Sequence, residues 1–314
     1  MRRAALVATA SPRALPFGLR RETLGLWLGL LGVAIFAVTL PMTRLATGTE
    51  AAPQLSPWFV TFARAVLAGV LSIGLLVALR APRPQRHEWL PLACAVLGNA
   101  IGYPLLLGLA LRVVTASHAA VVTALLPLAT AAVAALLLRQ RARLGFWVCA
   151  VIGSGLVVAF SLLRAWQQGH GFGFEWADLL LVGAVLAAAL GYIQGARVTP
   201  SLGAERVICW VCVLALPLTL PGMLLTWPRQ PVEASAWAAL AYVGVFSMWL
   251  GFFAWYRGLA MGGALRVSQL QLLQPFLSIL AAVPLLGEPL ERVTLGFALA
   301  VVATVVAGRK LAAP

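Results

Sequence analysis

The sequence predicts an all-α integral membrane protein of ten transmembrane helices, arranged as two inverted repeats of five helices each. Three observations support this fold class: an apolar composition, ten long apolar segments, and matching sequences 148 to 151 residues apart. Of the 314 residues, 62% are hydrophobic and only 10% are charged. A soluble protein needs many more polar residues to cover its surface, so this composition indicates a membrane protein.

Ten apolar segments are long enough to cross a membrane, because a helix needs roughly 20 apolar residues to span the hydrocarbon core. The segments lack the alternating pattern of a membrane β-strand, which favours helices over a barrel. An Arg, a Pro or a polar cluster ends each segment. In chain order, the predicted spans 1 to 10 cover residues 23–43, 57–79, 89–111, 115–138, 144–163, 176–196, 204–226, 236–257, 264–286 and 293–311.

The distribution of positive charge predicts the orientation in the membrane, since cytoplasmic loops carry most of the Lys and Arg. Seventeen of the 23 Lys and Arg residues lie on the side of the two termini, and five lie on the other side. Both termini are therefore expected in the cytoplasm. The formal net charge of +14 does not indicate nucleic-acid binding, because the charges are scattered over short loops.

Internal matches divide the chain into two halves. Five helices per repeat is an odd number, so the second repeat must enter the membrane from the opposite side. This topology is typical of transporters that bind substrate near the middle of the membrane. The matches pair 125–127 with 273–275, 108–111 with 258–261, and 144–146 with 295–297. The predicted units are a basic cytoplasmic tail at 1–22, repeats at 23–163 and 176–311, and a connecting loop at 164–175.

A polar stripe runs along predicted span 9. Gln271, Gln274 and Ser278 have the spacing of one helical face. An offset of 148 residues relates Gln271 to Thr123 in span 4. We expect these side chains to line a central cavity. The alternative is that the amides bond neighbouring helices together.

Spans 3 and 8 carry a second pair of related faces. Asn99 and Tyr103 share a face of span 3, and an offset of 150 residues relates them to Trp249 and Phe253, with Tyr256 one turn further. These residues complete the predicted lining of the cavity. For each aromatic residue, ordinary packing is the competing interpretation.

Four further polar or kinked positions are candidates for binding, gating or energy coupling. Arg64 lies inside span 2, where an unpaired charge costs about 3 kcal/mol, so it should contact a substrate carboxylate or backbone carbonyls. His118, at the start of span 4, could titrate near neutral pH or could simply reach the interface. Pro127 and Pro275 each interrupt a span and could form a hinge or a plain kink.

Small residues recur at four-residue spacing in spans 5 and 10, which allows close helix packing. We expect these faces to touch other helices, within the chain or across a homodimer through spans 5 and 10, and never lipid. The residues are Gly145, Cys149 and Gly153 in span 5, and Gly296, Ala300, Thr304 and Gly308 in span 10.

The chain resembles the EamA family of the drug/metabolite transporter superfamily. The resemblance rests on PWFVTFARAVLAGVL at 57–71, ALRVVTASHAAVVTALLPLATAAVAALLL at 110–138, and the segment from GLAMGG to VVAG at 258–308. It implies a carrier of the bacterial inner membrane, often an exporter of amino acids or other metabolites. Where the family commonly has Gly-Glu after span 4, residues 139–141 read Arg-Gln-Arg, so only Glu288 matches that acidic position.

Missing motifs limit the source of energy and exclude several activities. The only lysine is Lys310, so the chain has no Walker A loop for ATP. No acidic residue is expected deep in a span, which leaves facilitated diffusion, exchange, or proton coupling through His118 or Glu288; we favour the first two. Without HExxH, GxSxG or a metal-ligand cluster, an enzyme, a metal site or a cofactor is not expected.

The sequence thus predicts a secondary transporter that moves a small metabolite by alternating access through a central cavity. An amino acid or a related polar or aromatic compound is the expected cargo, and export the expected direction. The alternatives are a drug or nucleoside-type exporter, or a non-catalytic membrane helper or lipid-flippase component.

Overall fold

The computed structural model describes residues 21–137, 144–167, 176–262, 267 and 269–312. Within these ranges the regular structure is helical, which confirms the predicted all-α class. The α-helices are α1 Arg21–Ala37, α2 Thr39–Thr47, α3 Pro57–Ala78, α4 Trp89–Ala95, α5 Tyr103–Ala110, α6 Ala116–Thr123, α7 Leu126–Leu137, α8 Leu144–Gln167, α9 Trp176–Leu202, α10 Ala204–Leu225, α11 Ala234–Ala241, α12 Gly251–Gly262, α13 Gln274–Leu286 and α14 Arg292–Ala312.

Six helical segments in the described ranges are long and apolar enough to cross a membrane. They coincide with predicted spans 1, 2, 3, 6, 7 and 8. Four shorter apolar helices lie where spans 4, 5, 9 and 10 are predicted, so the count of ten and the inverted repeat stay predictions. The six are Glu22–Thr47, Pro57–Ala78, Arg86–Ala110, Trp176–Leu202, Glu205–Leu225 and Ala234–Gly258; the four are Ala116–Thr130, Trp147–Phe160, Leu270–Leu286 and Arg292–Thr304.

Three of the predicted spans are interrupted near their middle. Span 1 breaks between α1 and α2, and span 4 breaks between α6 and α7, which begins one residue before Pro127. In span 9 a 3-10 turn at Gln269–Leu273 precedes α13, whose second residue is Pro275. A proline is tolerated in the first turn of a helix because its missing N–H would have no partner there. Each proline therefore begins a new helical segment instead of bending a continuous one.

Two spans contain π-helical segments, which the sequence did not predict. Val96–Gly102 joins α4 to α5, and Tyr242–Leu250 joins α11 to α12. The first segment lies directly against α9: a Cβ built on Gly98 would be 2.4 Å from the carbonyl oxygen of Ala187. Only glycine permits this approach of two backbones.

The helices pack in a consistent set of pairs. The largest contacts join α1 to α12, α3 to α10, and α8 to α14, while α9 packs against α5 and α7. A core cluster around Leu107, Leu181 and Ile279 joins α5, α9 and α13. A second cluster around Leu92, Ile208 and Met248 joins α4 and α10 to the second π-helical segment.

Polar bonds between loops define the two ends of the bundle. At one end, which we call the Glu288 end, the backbone N–H of Glu50 donates to Arg112, and the loop after α10 is bonded through Glu233 to Gln54. At the opposite end, which we call the Glu205 end, Glu205 forms an ion pair with Arg257.

The small-residue faces of α8 and α14 differ in their surroundings. A Cβ on Gly153 would lie 3.2 Å from Leu125 and from Leu128, so this glycine is packed within the chain as predicted. A Cβ on Gly296 would have no described atom within 4 Å. The predicted contact of Gly296 with another helix is therefore not made within the described part of the chain. Whether the face joins two protomers stays a prediction.

Candidate functional site

A small chamber surrounds the guanidinium of Arg64 inside the bundle. Residue 64 is the eighth of α3, roughly 10 Å along the helix from its first residue. The chamber has a volume of about 40 Å³ and is lined by side chains from α1, α2, α3, α7, α9, α13 and the two spans that contain π-helical segments. Its polar lining residues are Thr39, Arg64, Asn99, Tyr103, Tyr192, Ser247 and Gln274. We call it the Arg64 chamber.

Arg64 uses only part of its hydrogen-bonding capacity. Its side chain is 3% exposed. Nη2 donates to the Ser247 hydroxyl at 3.3 Å and lies 3.9 Å from the Met248 sulfur. Nε and Nη1 have no hydrogen-bond partner among the residues that the structure describes. The five N–H donors of a buried guanidinium normally find acceptors, so this arginine can bind a further group.

A larger cavity adjoins the Arg64 chamber. It has a volume of about 510 Å³ and shares Phe36, Tyr192 and Phe252 with the chamber. We call it the aromatic cavity, because Trp255 and Tyr256 add two more rings to its wall. This is the size of a site for a small organic molecule.

The aromatic cavity leads to the Glu205 end. A further space of about 490 Å³ shares Pro200 and Tyr256 with it and reaches Glu205, Arg206 and Arg257. The exposed Arg257 lies at the rim. Within the described residues, three cavities with shared wall residues therefore lie between Arg64 and this end of the bundle.

The predicted polar stripe lines a narrow cleft beside the chamber. Gln271, Gln274, Ser278 and Thr123 lie together around a space of about 30 Å³, with Pro275 in its wall. We call it the glutamine cleft. The Ser278 hydroxyl donates to the Ala37 carbonyl at 2.8 Å and so satisfies the backbone at the break in span 1. The Thr123 hydroxyl donates to the Ala119 carbonyl of its own helix at 2.8 Å.

Two predicted lining residues lie elsewhere. Trp249 and Phe253 pack edge to face, with ring centres 4.8 Å apart, against the core formed with α10. In span 8 the cavities are lined by Met248, Phe252 and Trp255, each one position earlier, together with the predicted Tyr256. Trp249 lies within the π-helical segment, where the α-helical period used to predict the face does not apply.

Glu288 ties together the helices at its end of the bundle. Its carboxylate accepts hydrogen bonds from the backbone N–H groups of Ala116 and Ser117, at 2.7 and 3.0 Å, and from the Ser117 hydroxyl at 2.7 Å. The carboxylate thus caps the N-terminus of α6, where the helix dipole favours a negative charge. Arg44 lies 3.7 Å away and also donates to the carbonyls of Leu111 and Val114.

The comparison with known families decides what kind of bundle this is. The model of the EamA-like transporter family matches residues 23–162 and 175–307. The chain belongs to the EamA-like transporter family. The resemblance predicted from the sequence is confirmed, and with it the assignment to a family of multi-pass membrane transporters.

Relatives of this EamA-like chain have transporter names. It is 41% identical over 286 residues to the "Uncharacterized transporter YdeK" of Bacillus subtilis (strain 168), and the match covers 90% of this chain and 96% of that protein. It is 25% identical over 249 residues, 79% of this chain and 86% of the other, to the "Aromatic amino acid exporter YddG" of Ancylobacter novellus. A crystal structure of another protein shares the fold, with a TM-score of 0.62, 21% identity, and coverage of 93% of this chain and 97% of that one.

His118 of this EamA-like transporter is not a lone interfacial residue. Its side chain is 4% exposed, and Nε2 lies 2.7 Å from Oδ1 of Asp178, in the first turn of α9. The Phe160 ring covers the imidazole at a centroid distance of 4.9 Å. The sequence interpretation of His118 as a residue reaching the interface is therefore wrong, because α9 supplies a buried acidic partner.

Several lining residues of this EamA-like transporter were missed by sequence reasoning. Ser247 could have been found, since it lies 148 residues after Asn99, the offset that relates spans 4 and 9. Phe36 and Tyr192 gave no such signal, because single aromatics in apolar spans are common. The side chain of Pro127 lies outside the described residues.

Proposed function

We propose that this EamA-like chain is a secondary transporter that exports a small metabolite from the bacterial cytoplasm across the inner membrane. The observation that carries the proposal is the series of cavities, each sharing wall residues with the next, from the Glu205 end through the aromatic cavity to the Arg64 chamber. Polar groups converge there from both halves of the chain, as expected of a transporter with its substrate site between two repeats.

The distribution of charge supports the proposed direction. The Glu205 end holds the Arg-rich loops, so we assign it and both termini to the cytoplasm. The cavities then open toward the compartment from which cargo is exported. On the outer side, the bonds of Glu288 and Arg44 hold α2, α6 and the loop after α13 together. This arrangement corresponds to a carrier that is ready to load from the cytoplasm.

The packing of the helices supports ten spans in two inverted repeats. If the two repeats are exchanged, spans 1, 8 and 9 correspond to spans 6, 3 and 4. The contact of α1 with α12 then corresponds to that of α9 with α5, and the contact of α2 with α13 corresponds to that of α9 with α7. The contacts of α3 with α10, and of α8 with α14, each map onto themselves. Such paired contacts allow one half to move against the other around a fixed site.

An amino acid or a related polar or aromatic compound is the proposed cargo. Amide and hydroxyl groups lie in the Arg64 chamber and the glutamine cleft. The aromatic cavity is lined by Phe36 and by four further aromatic rings. The relative named an aromatic amino acid exporter supports this choice. Exchange or facilitated diffusion remains the proposed mode of transport.

A transport assay tests the proposal. Purified protein would be reconstituted into liposomes loaded with unlabelled solute, and the uptake of the same radiolabelled solute by exchange would be measured. The panel comprises L-phenylalanine, L-leucine, uridine and an organic-cation dye. We expect exchange of at least one amino acid, abolished by filling the aromatic cavity with Ala196→Trp. Exchange of the dye or uridine alone would favour a drug or nucleoside exporter, and no exchange by folded protein would contradict the proposal.

A further inference from the structure

The charge of the Arg64 chamber identifies the chemical class of its ligand. Among the described residues, Arg64 is the only Lys or Arg that lines the chamber, and no Asp or Glu lines it. The guanidinium is almost fully buried, and two of its nitrogens have no hydrogen-bond partner in the part of the chain that the structure describes. A buried positive charge without a counterion is unfavourable, and an anion that reaches it removes that cost.

The shape of the chamber limits the size of the anionic group. At about 40 Å³, it has room for the oxygens of one small group, since a single water needs roughly 10–15 Å³ by the same kind of measure. A planar carboxylate fits this space and can accept two parallel hydrogen bonds from a guanidinium. Asn99 and Tyr103 lie in the same wall and provide further polar contacts.

The neighbouring aromatic cavity indicates what the carboxylate is attached to. The two spaces meet at Phe36, Tyr192 and Phe252. A molecule that places its carboxylate against Arg64 therefore extends directly into a volume of about 510 Å³ walled by aromatic rings. An apolar or aromatic body is favoured there.

We propose that Arg64 is the anion subsite of the cavity and binds the carboxylate of an organic acid whose apolar or aromatic body occupies the aromatic cavity. The proposal rests on the proposed transport function and specifies its substrate: the cargo carries a free carboxylate. Neutral amides, esters and amines of the same body bind poorly, because they leave the Arg64 guanidinium without a counterion.

Binding to the purified full-length protein tests this proposal without requiring transport. The probes are 3-phenylpropanoate, its neutral amide 3-phenylpropanamide, and phenethylamine. Each is titrated into the protein, and binding is measured by the change in tryptophan fluorescence and by the shift in melting temperature. We expect the acid to bind about tenfold or more tightly than the amide and the amine. Equal binding of the three probes, or no binding of the acid by folded protein, would overturn the proposal.

Variants locate the effect at residue 64. Arg64→Gln should remove the preference for the acid, while Arg64→Lys should retain part of it, because a point charge remains without the bidentate geometry. Arg229→Gln, an equal change of charge at an exposed loop residue, should leave the preference unchanged. If Arg64→Gln does not fold, the comparison of the three probes on the unaltered protein still decides the question.

The transport assay separates this proposal from the proposed function. Exchange of uridine or the organic-cation dye that Arg64→Gln does not alter would leave the transport function standing and overturn the anion subsite. Carboxylate-selective binding that depends on Arg64, with no exchange of any solute, would support the subsite and contradict transport.

Discussion

At the scale of single residues, polar side chains in this bundle take their roles from the helix opposite. His118 in span 4 pairs with Asp178 in span 6, and Glu288, in the loop after α13, caps the N-terminus of α6. The sequence indicates which polar residues lie in apolar segments. It does not indicate their partners, because these are separated by 60 to 172 residues along the chain.

The pair of His118 and Asp178 makes a specific prediction about stability. His118→Leu should destabilise the protein by about 3 kcal/mol, because it leaves the Asp178 carboxylate buried without its partner. The double variant His118→Leu with Asp178→Leu should recover most of the loss, since no unpaired group remains. The measurement is the apparent melting temperature of the purified protein in detergent.

A control for this pair is His87→Leu, because His87 is exposed and should tolerate the change. If the double variant were no more stable than His118→Leu alone, the pair would have some other stabilising role.

At the scale of elements, the apolar pattern predicted where the helices lie but not their internal geometry. Span 3 kept the predicted face, with Asn99 and Tyr103 in the chamber. In span 8, Met248 and Phe252 line the cavities in place of the predicted Trp249 and Phe253. A period of 3.6 residues assumes a regular α-helix, and a π-helical turn changes the phase without leaving a sequence signal.

The contact of the first π-helical segment with α9 predicts a strict requirement for glycine. Gly98→Ala should sharply lower the yield of folded protein, because the added Cβ would lie 2.4 Å from the Ala187 carbonyl oxygen. Gly74→Ala is the matched control, since a Cβ there meets nothing within 4 Å. The yield is measured by size-exclusion chromatography of the detergent-solubilised protein. Equal yields of the two variants would mean that the two backbones are not in close contact.

The two small-residue faces should respond differently to a larger side chain. Gly153→Leu should lower the folded yield, because its Cβ would already lie 3.2 Å from Leu125 and Leu128. Gly296→Leu should be tolerated in a monomer, since that position is open. The yields and the elution volumes of both variants are compared with those of the unaltered protein. An equal loss for Gly296→Leu would instead indicate that spans 5 and 10 join two protomers.

At the scale of the whole molecule, a class of fold and a family were predictable because both depend on long, repetitive features of the sequence. Composition, apolar segments and internal matches survive local irregularities such as the breaks in spans 1, 4 and 9. The binding site was only partly predictable. It forms where five or more spans meet, and residues such as Tyr192 enter it through packing that a single sequence does not record.

The central claim is that the connected cavities form the path of the substrate and open at the cytoplasmic Glu205 end. Cysteine accessibility tests it most directly. In a background without Cys94, Cys149, Cys209 and Cys212, single cysteines would replace a set of chosen residues and be labelled by a membrane-impermeant thiol reagent in vesicles of both orientations. The chosen residues are Thr199 and Gln271 in the cavity wall, Ser117 at the Glu288 end, and the 45% exposed Leu273 as a lipid-facing control.

We predict that the cysteines at 199 and 271 react faster from the cytoplasmic side, and that a transported solute slows their labelling. The cysteines at 117 and 273 should stay unreactive, because the first is buried among the bonds of Glu288 and the second, exposed on a predicted span, is expected to face lipid. If position 273 reacted as fast as position 271, or if 199 and 271 were silent from both sides, the cavity would not be the path of the substrate.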